Sequence, residues 1–343
     1  MFLGIEIGGT KLQLGVGHGI GGQLVDLVRR DIDARRGAAG ILAQIEQAGT
    51  ELKSRYVLQR IGIGFGGPVD ALGGRVIKSH QVSGWDDALL VEWCQRTLEL
   101  PTVIANDCDA AAIAEARFGA GRGAQTVFYV TVGTGIGGGL VIDGMLHGAR
   151  RPAAAEIGHL RPGLHADRAE DTVESLASGP GIAAAAQAIL SGQVSRPLSR
   201  IRKQLGRPDK SHFRERMERI DELSRAHADD LLARCEGDLD ALTAKHVAQA
   251  AADGNELARE VLDDACAALG WAIAQVVTIV APQVIVVGGG VSLISESLFL
   301  APVRRHAAKY VFPPLASTYE ILPAQLGEEV VVHGALALAA AVR

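Results

Sequence analysis

Residues 130–144, "VTVGTGIGGGLVIDG", set six glycines in fifteen positions between one strand-like run that leads in and another that leads out. Alone such a cluster says little, because hairpin turns use glycine for positive φ with no ligand involved. The constraint comes from recurrence. Residues 2–7 and 12–17 run apolar or alternate around "GGTK", the pattern of two strands joined by a tight glycine turn, and "QTVFYVTVGTGIGGGLVIDG" starts the same arrangement again. A third glycine turn, residues 288–290, ends the buried-strand pattern "QVIVV". Such turns expose successive backbone N–H groups with no side chain in the way, which lets an anion approach the main chain directly.

Between these turns strands and helices alternate. "AAGILAQIEQAGTELKSRY" has helical spacing, "RIGIGFGGPVD" is a short buried strand ending in glycines and proline, and "PTVIAND" is a strand running straight into the alanine-rich helix "CDAAAIAEARFG". "NELAREVLDDACAALGWAIAQVVTIV" predicts a long helix before the third glycine turn, and "EEVVVHGALALAAAVR" a small-residue helix at the end. This order indicates an α/β protein, and its restarted unit suggests two halves that close on a ligand.

Composition narrows the partners. A formal charge of −5 and a pI near 6.1 give no basic field for a polyanion, so nucleic acid is not an expected partner. Cys94, Cys108, Cys235 and Cys266 are scattered without CxxC pairing, which argues against a disulfide framework and fits a reducing cytoplasm. The start "MFLGIEIGGTK" lacks the pattern of a signal peptide. Pro282 and the glycines after it interrupt the most apolar run, which reads as a buried helix and strand instead of a membrane span. Interleaved Arg, Lys, Asp and Glu over about 190–245 read as solvated amphipathic helices, with a partner or oligomer surface as the sharper alternative.

With "IGGTK" first, "GTGIGGGLV" in the middle and "VIVVGGGVS" late, the chain resembles the ROK family of sugar kinases and sugar-responsive repressors. The motifs between support the resemblance: "IANDCDAAAIAEARFGAG" for the family's strand, Asn-Asp and alanine helix, "AEIGH" for its GExGH, and "VESLASG" for its LExxASG. The resemblance implies an actin-like, ribonuclease H-like ATPase fold of two lobes with a cleft between them. Residues 1–119 plus 326–343 would form the smaller lobe. Residues 120–325 would form the larger, with the nucleotide site and the charged segment.

From the residues alone, Asp107 at a strand's end reads equally as a helix cap or as a carboxylate projecting into a cleft. The resemblance implies the second, with Asp107 as the base that takes the proton of a sugar hydroxyl. Sugar contacts would come from Gly66, Gly67, Asn106, Asp107, Glu156, His159 and Glu174. The phosphates of ATP would meet Gly8, Gly9, Thr10, Lys11, Gly133, Gly135 and the hydroxyls of Thr131 or Thr134, and Gly288, Gly289 and Gly290 would lie by the base and ribose. The implied activity is phosphorylation of the 6-hydroxyl of an aldohexose, glucose first. N-acetylglucosamine, N-acetylmannosamine and fructose are the alternative acceptors, and polyphosphate the alternative donor. A homodimer in the cytoplasm is the expected assembly.

Two departures from the family's pattern stand out. Glu6 occupies a position where aspartate is usual; its longer arm still offers a carboxylate to a Mg²⁺-bound water. The stretch "HADRAEDT", residues 165–172, lacks the three cysteines with which many members hold zinc beside the histidine of "GH", so no zinc is expected, and His165 and Asp167 with His159 are the alternative metal set. These departures leave a catalytically silent sugar sensor as the reading of another class. No helix-turn-helix segment precedes the "GGTK" strand, which argues against a repressor.

Overall fold

Each restarted unit builds its own five-stranded sheet, and the two sheets have the same order. The computed structural model describes residues 1–79, 81–148, 154–163, 170–192 and 213–341, with side chains from 222 onward in the last stretch. In the first sheet β1 (Phe2–Ile7), β2 (Lys11–Gly17) and β3 (Asp26–Asp31) form an antiparallel meander, and β4 (Ile61–Phe65) and β7 (Thr102–Asn106) add in parallel on the other side of β1. A short ribbon, β5 (Val69–Asp70) with β6 (Arg75–Val76), lies between. The second sheet repeats the plan, with β8 (Thr126–Val132), β9 (Ile136–Ile142) and β10 (Met145–His147) antiparallel and β11 (Val284–Gly288) and β12 (Glu320–Pro323) parallel.

Register aligns the strand ends. Ile7 pairs with Phe65 and Phe65 with Asn106, so the turns at 8–11 and 66–67 and the residue after Asn106 leave one edge of the first sheet together. Thr131 pairs with Gly288 and Val287 with Pro323, which does the same for the turns at 133–135 and 289–290 in the second. Ligands of parallel α/β sheets collect at such carboxyl edges, because the strand-to-helix connections there carry the exposed backbone groups.

Each sheet is buried against its own helices. Around the first pack α1 (Gly37–Arg55) and α2 (Leu90–Leu98), over a core that includes Leu3, Ile5, Ile45, Leu52 and Ile63. Phe65 meets Trp85 edge-on at 5.1 Å between ring centroids, so an aromatic pair pins the loop at 82–85 beneath the strand that ends at the 66–67 turn. Around the second run α4 (Val173–Ala177), α5 (Gly179–Leu190), α6 (Phe213–Arg234), α7 (Ala244–Ala252), α8 (Glu256–Val280) and α9 (Leu300–Ala307). Asn255 caps α8 by accepting from the Ala258 N–H at 3.0 Å, and Ala281 stops it in the left-handed region at φ 49° before Pro282. By length and composition α8 could cross a membrane, yet Val261, Leu262, Leu269, Ile273 and Val277 bury it as the central helix of this core. Where the charged segment is described, Arg234 pairs with Asp230 at 3.1 Å and Asp253 at 2.9 Å; residues 193–212 lie outside the described residues.

Two further helices join the sheets. α3 (Asp107–Phe118) follows β7, lies on β8 and β9, and packs along α10 (Val330–Ala341), which in turn covers β1 and β4. Small residues let these helices approach backbone to backbone: a Cβ at Gly334 would collide with the carbonyl of Ala110. At the far end of α3 the fully buried Glu115 accepts the N–H groups of Ala120, Gln325 and Leu326 at 2.8–2.9 Å, which fastens α3 to the segment leading into α10. Three charge-assisted bonds satisfy a carboxylate that would otherwise be costly to bury.

Candidate active site

The start of α3 settles which residue of the Asn-Asp pair is the cap. Asn106 has extended backbone, and its side-chain oxygen accepts from the Cys108 N–H at 2.8 Å and the Asp109 N–H at 3.4 Å. Its amide nitrogen donates to the Gly67 carbonyl at 3.0 Å, tying the 66–67 turn to the helix. Asp107 is therefore the first helical residue and is spared the capping role. Its carboxylate accepts from the Cys108 N–H at 2.8 Å and lies beside Gly66, whose Cβ position is 3.5 Å from Asp107 Oδ2. Burial pushes the Asp107 carboxyl up despite those bonds.

A cavity of about 330 Å³ opens between the carboxyl edges of the two sheets. Glu6, Lys11 and Asp107 face it from the first sheet, Thr131 and Gly288–Gly290 from the second, and Glu328 from the turn before α10. Lys11 Nζ stands 3.5 Å from Glu328 Oε2. Burial lifts the Glu6 carboxyl to about 7; a hydrogen bond from Gln13 and the charge of Lys11 oppose the rise, and the charges of Asp107 and Glu328 add to it. The 8–11 turn is closed by the Gly8 N–H on the Lys11 carbonyl at 3.0 Å, with Thr10 exposed at its tip and the Gln81 side chain lying against Gly9. Gly289 has φ 87°, and its hydrogen faces Val132 O and Thr131 Oγ1, 2.5 and 2.8 Å from where a Cβ would stand.

A larger cavity of about 810 Å³ adjoins the first at Gly290 and Leu293. Gly133 and Thr134 stand at its glycine-turn side, and its walls are mostly apolar, with Pro180, Ala183, Leu242, Ala248, Val291 and Ile294. The 133–135 turn beside the larger cavity is held by three hydrogen bonds: the Gly133 N–H closes on the Gly135 carbonyl at 2.9 Å, the Gly179 N–H donates to the Gly133 carbonyl at 2.8 Å, and Glu174 Oε2 accepts the Ile136 N–H at 2.7 Å.

On the remaining side Glu156 leads into a 3-10 turn, Ile157–His159, that puts Ile157 and Gly158 against β9 and leaves His159 exposed. The Glu156 carboxyl is raised, chiefly by burial; His159 opposes the rise and the charges of Asp107 and Glu174 add to it. Asp109, two residues along α3 from Asp107, is lifted to about 7 by burial and by the charges of Glu156 and Asp107. The carboxyl groups of Asp107, Asp109 and Glu156 thus lie near enough to raise one another, and an arrangement so costly to keep charged is typical of sites built around polar ligands.

Of the residues picked out from sequence, Glu6, Lys11, Asp107, Thr131 and Gly288–Gly290 share the smaller cavity, and Gly133, Thr134 and Gly290 line the larger. Gly66, Gly67 and Asn106 adjoin Asp107 as described, whereas the Glu174 carboxylate is engaged with the backbone after Gly135. Gln13, Asp109, Ser292 and Glu328, and the apolar walls, went unread. Gln13 was visible as the one amide inside an apolar strand, and Asp109 as a third acid beside Asn-Asp. Among the described residues no group of three His, Cys, Asp or Glu is placed to hold a metal ion; His165 and Asp167 lie outside them.

The family model of the ROK family matches residues 2–342. The glucokinase of Thermotoga maritima is 27% identical over 340 residues, which cover 98% of this chain and 96% of that protein. The glucokinase of Halalkalibacterium halodurans is 30% identical over 344 residues, covering 97% and 93%. Among solved structures, a ROK family glucokinase from Streptomyces griseus in complex with glucose and AMPPNP superposes with a TM-score of 0.76 at 28% identity and covers 98% of both chains.

Proposed function

Because the chain belongs to the ROK family, we propose that it is an ATP-dependent sugar kinase of actin-like fold that phosphorylates the 6-hydroxyl of an aldohexose, with glucose as the acceptor. The full-length similarity to glucokinases supports the acceptor. The observation that carries the chemistry is the cavity in which the Asp107 carboxylate, spared by the Asn106 cap, faces Lys11, Thr131 and the Gly288–Gly290 turn.

In this reading Asp107 takes the proton as the 6-oxygen attacks the γ-phosphorus; the new P–O bond forms while the bond to the bridging oxygen breaks, and ADP leaves. Burial makes Asp107 a better proton acceptor than an exposed aspartate, and such assistance is worth about 10²–10⁴ in rate. Lys11 and the glycine turns offset the charge of the phosphates, and the apolar cavity takes the base, which favours a nucleoside triphosphate over polyphosphate as donor. The hard oxygens of Glu6 suit Mg²⁺ held through water, and the ion, when bound, supplies charge neutralisation at the phosphates. Sugar hydroxyls would be read by Asn106, Glu156, His159 and Glu174, with Gly66 and Gly67 letting the ring approach the backbone. The lobes of this kinase would be residues 1–119 with 326–343, and residues 120–325.

The test is a panel of glucose, N-acetylglucosamine, N-acetylmannosamine and fructose with ATP and Mg²⁺, read by ADP release, on the wild type and Asp107→Asn. Glucose turnover that collapses in the variant while calorimetry still detects sugar binding is the expected result. Binding by the wild type without any turnover would make the protein a sensor.

A further inference from the structure

We infer that Gln13 is a positioning residue that aims the Glu6 carboxylate into the cavity and couples it to the turn before α10. The inference rests on the kinase reading for its meaning, but its evidence is the hydrogen-bond geometry itself.

Register creates the arrangement. Glu6 on β1 is directly opposite Gln13 on β2, and Gln13 is opposite Arg29 on the edge strand β3, so three polar side chains form a row that crosses two otherwise mostly apolar strands. Gln13 is 0% exposed. Its amide nitrogen donates to Glu6 Oε2 at 2.6 Å and to the Glu328 carbonyl at 2.9 Å, and its oxygen accepts from Arg29 Nε at 3.0 Å. The amide can face only this way: reversed, it would set an oxygen against two acceptors and an N–H against a guanidinium. Arg29 is fixed in turn by Glu329 at 2.7 Å.

An apolar side chain would fill this buried place without needing three partners, and burying an amide is worthwhile only when all of them are met. What the amide adds is direction. One of its N–H groups holds a cavity-lining carboxylate and the other holds the main chain of a cavity-lining turn, so two walls from distant parts of the sequence are set against each other through a single side chain. The charged groups facing Glu6 are Lys11, Asp107 and Glu328. None of these replaces a neutral donor aimed along the strand pair.

The test is a double-mutant cycle on Gln13→Leu and Glu6→Gln, reading kcat, the KM for glucose, and calorimetric binding of Mg²⁺ with a non-hydrolysable ATP analogue. Loss of one hydrogen bond to a charged group should lower kcat and weaken Mg²⁺-dependent analogue binding about tenfold in Gln13→Leu, with the glucose KM within about twofold. The double variant should be no worse than Glu6→Gln alone, because Gln13 acts through Glu6. Gln13→Asn, which keeps an amide but shortens the arm, should reproduce the loss if Gln13→Leu does not fold. Additive losses, or a lower Tm with unchanged kcat and analogue binding, overturn the inference. A wild type that phosphorylates no sugar sinks the kinase reading instead, and the same cycle is then scored on analogue binding.

Discussion

The amide of Asn106 joins the first turn of α3 to Gly67, donating to its carbonyl at 3.0 Å while the oxygen of the same amide caps the helix. One side chain thus sets the position of Asp107 against the 66–67 turn beside it. Asn106→Ala should lose about 1 kcal/mol of stability from the cap and raise the glucose KM. Asn106→Asp keeps an acceptor for the helix but has no donor for Gly67, so it should recover most of the Tm and little of the KM. Equal recovery of both would show that the bond to Gly67 does nothing for the sugar.

The apolar cavity beside Gly290 should be a nucleoside site. Ala248→Phe fills part of that volume from α7, away from Asp107, and should raise the KM for ATP about tenfold or more while leaving the glucose KM near its original value. Steady-state kinetics with each substrate varied in turn would check this; a rise confined to glucose would contradict it.

Gly289 holds φ 87° with its hydrogen against Val132 O and Thr131 Oγ1. Gly289→Ala must strain the backbone and push on β8 together, at a cost of about 1–3 kcal/mol. Thermal denaturation should show the drop in Tm, and stabilisation by an ATP analogue should shrink with it. A variant as stable as the wild type would mean the turn relaxes freely.

The buried carboxyl of Asp109 should make stability depend on pH. Asp109 rises from an ordinary 3.8 to about 7 on folding, so the folded chain keeps a proton that the unfolded chain has released. Stability from this group is full below about pH 4, falls as pH climbs toward 7, and stays low above. Asp109→Asn removes the penalty: its Tm should match the wild type near pH 4 and exceed it near pH 8. A margin that is constant with pH would show that the carboxyl titrates normally.

Much of the fold was legible because period and punctuation agree. The glycine turns between apolar strands gave both antiparallel pairs, and the Asn-Asp-alanine run gave α3, since capping chemistry and helix propensity point the same way there. β3 was not legible: "DLVRRD" is a largely exposed edge strand whose polar residues carry no alternation to read. The polar core was hidden for a different reason. Gln13 and Glu115 are buried with partners 315 and about 210 positions away, the Glu328 carbonyl for the first and the N–H groups of Gln325 and Leu326 for the second, and local spacing holds no record of such pairings. Likewise Glu174 could be named from its motif, but not its bond to the Ile136 N–H, which depends on how two loops fold against each other.

The seam where Gly334 meets Ala110 acts as a gauge for the distant cleft. Asp107 begins one of the two helices in contact there, and Glu328 lies in the turn that leads into the other, so thickening the seam by one methyl group would wedge the helices apart and widen the cavity between these two carboxylates without altering any atom that lines it.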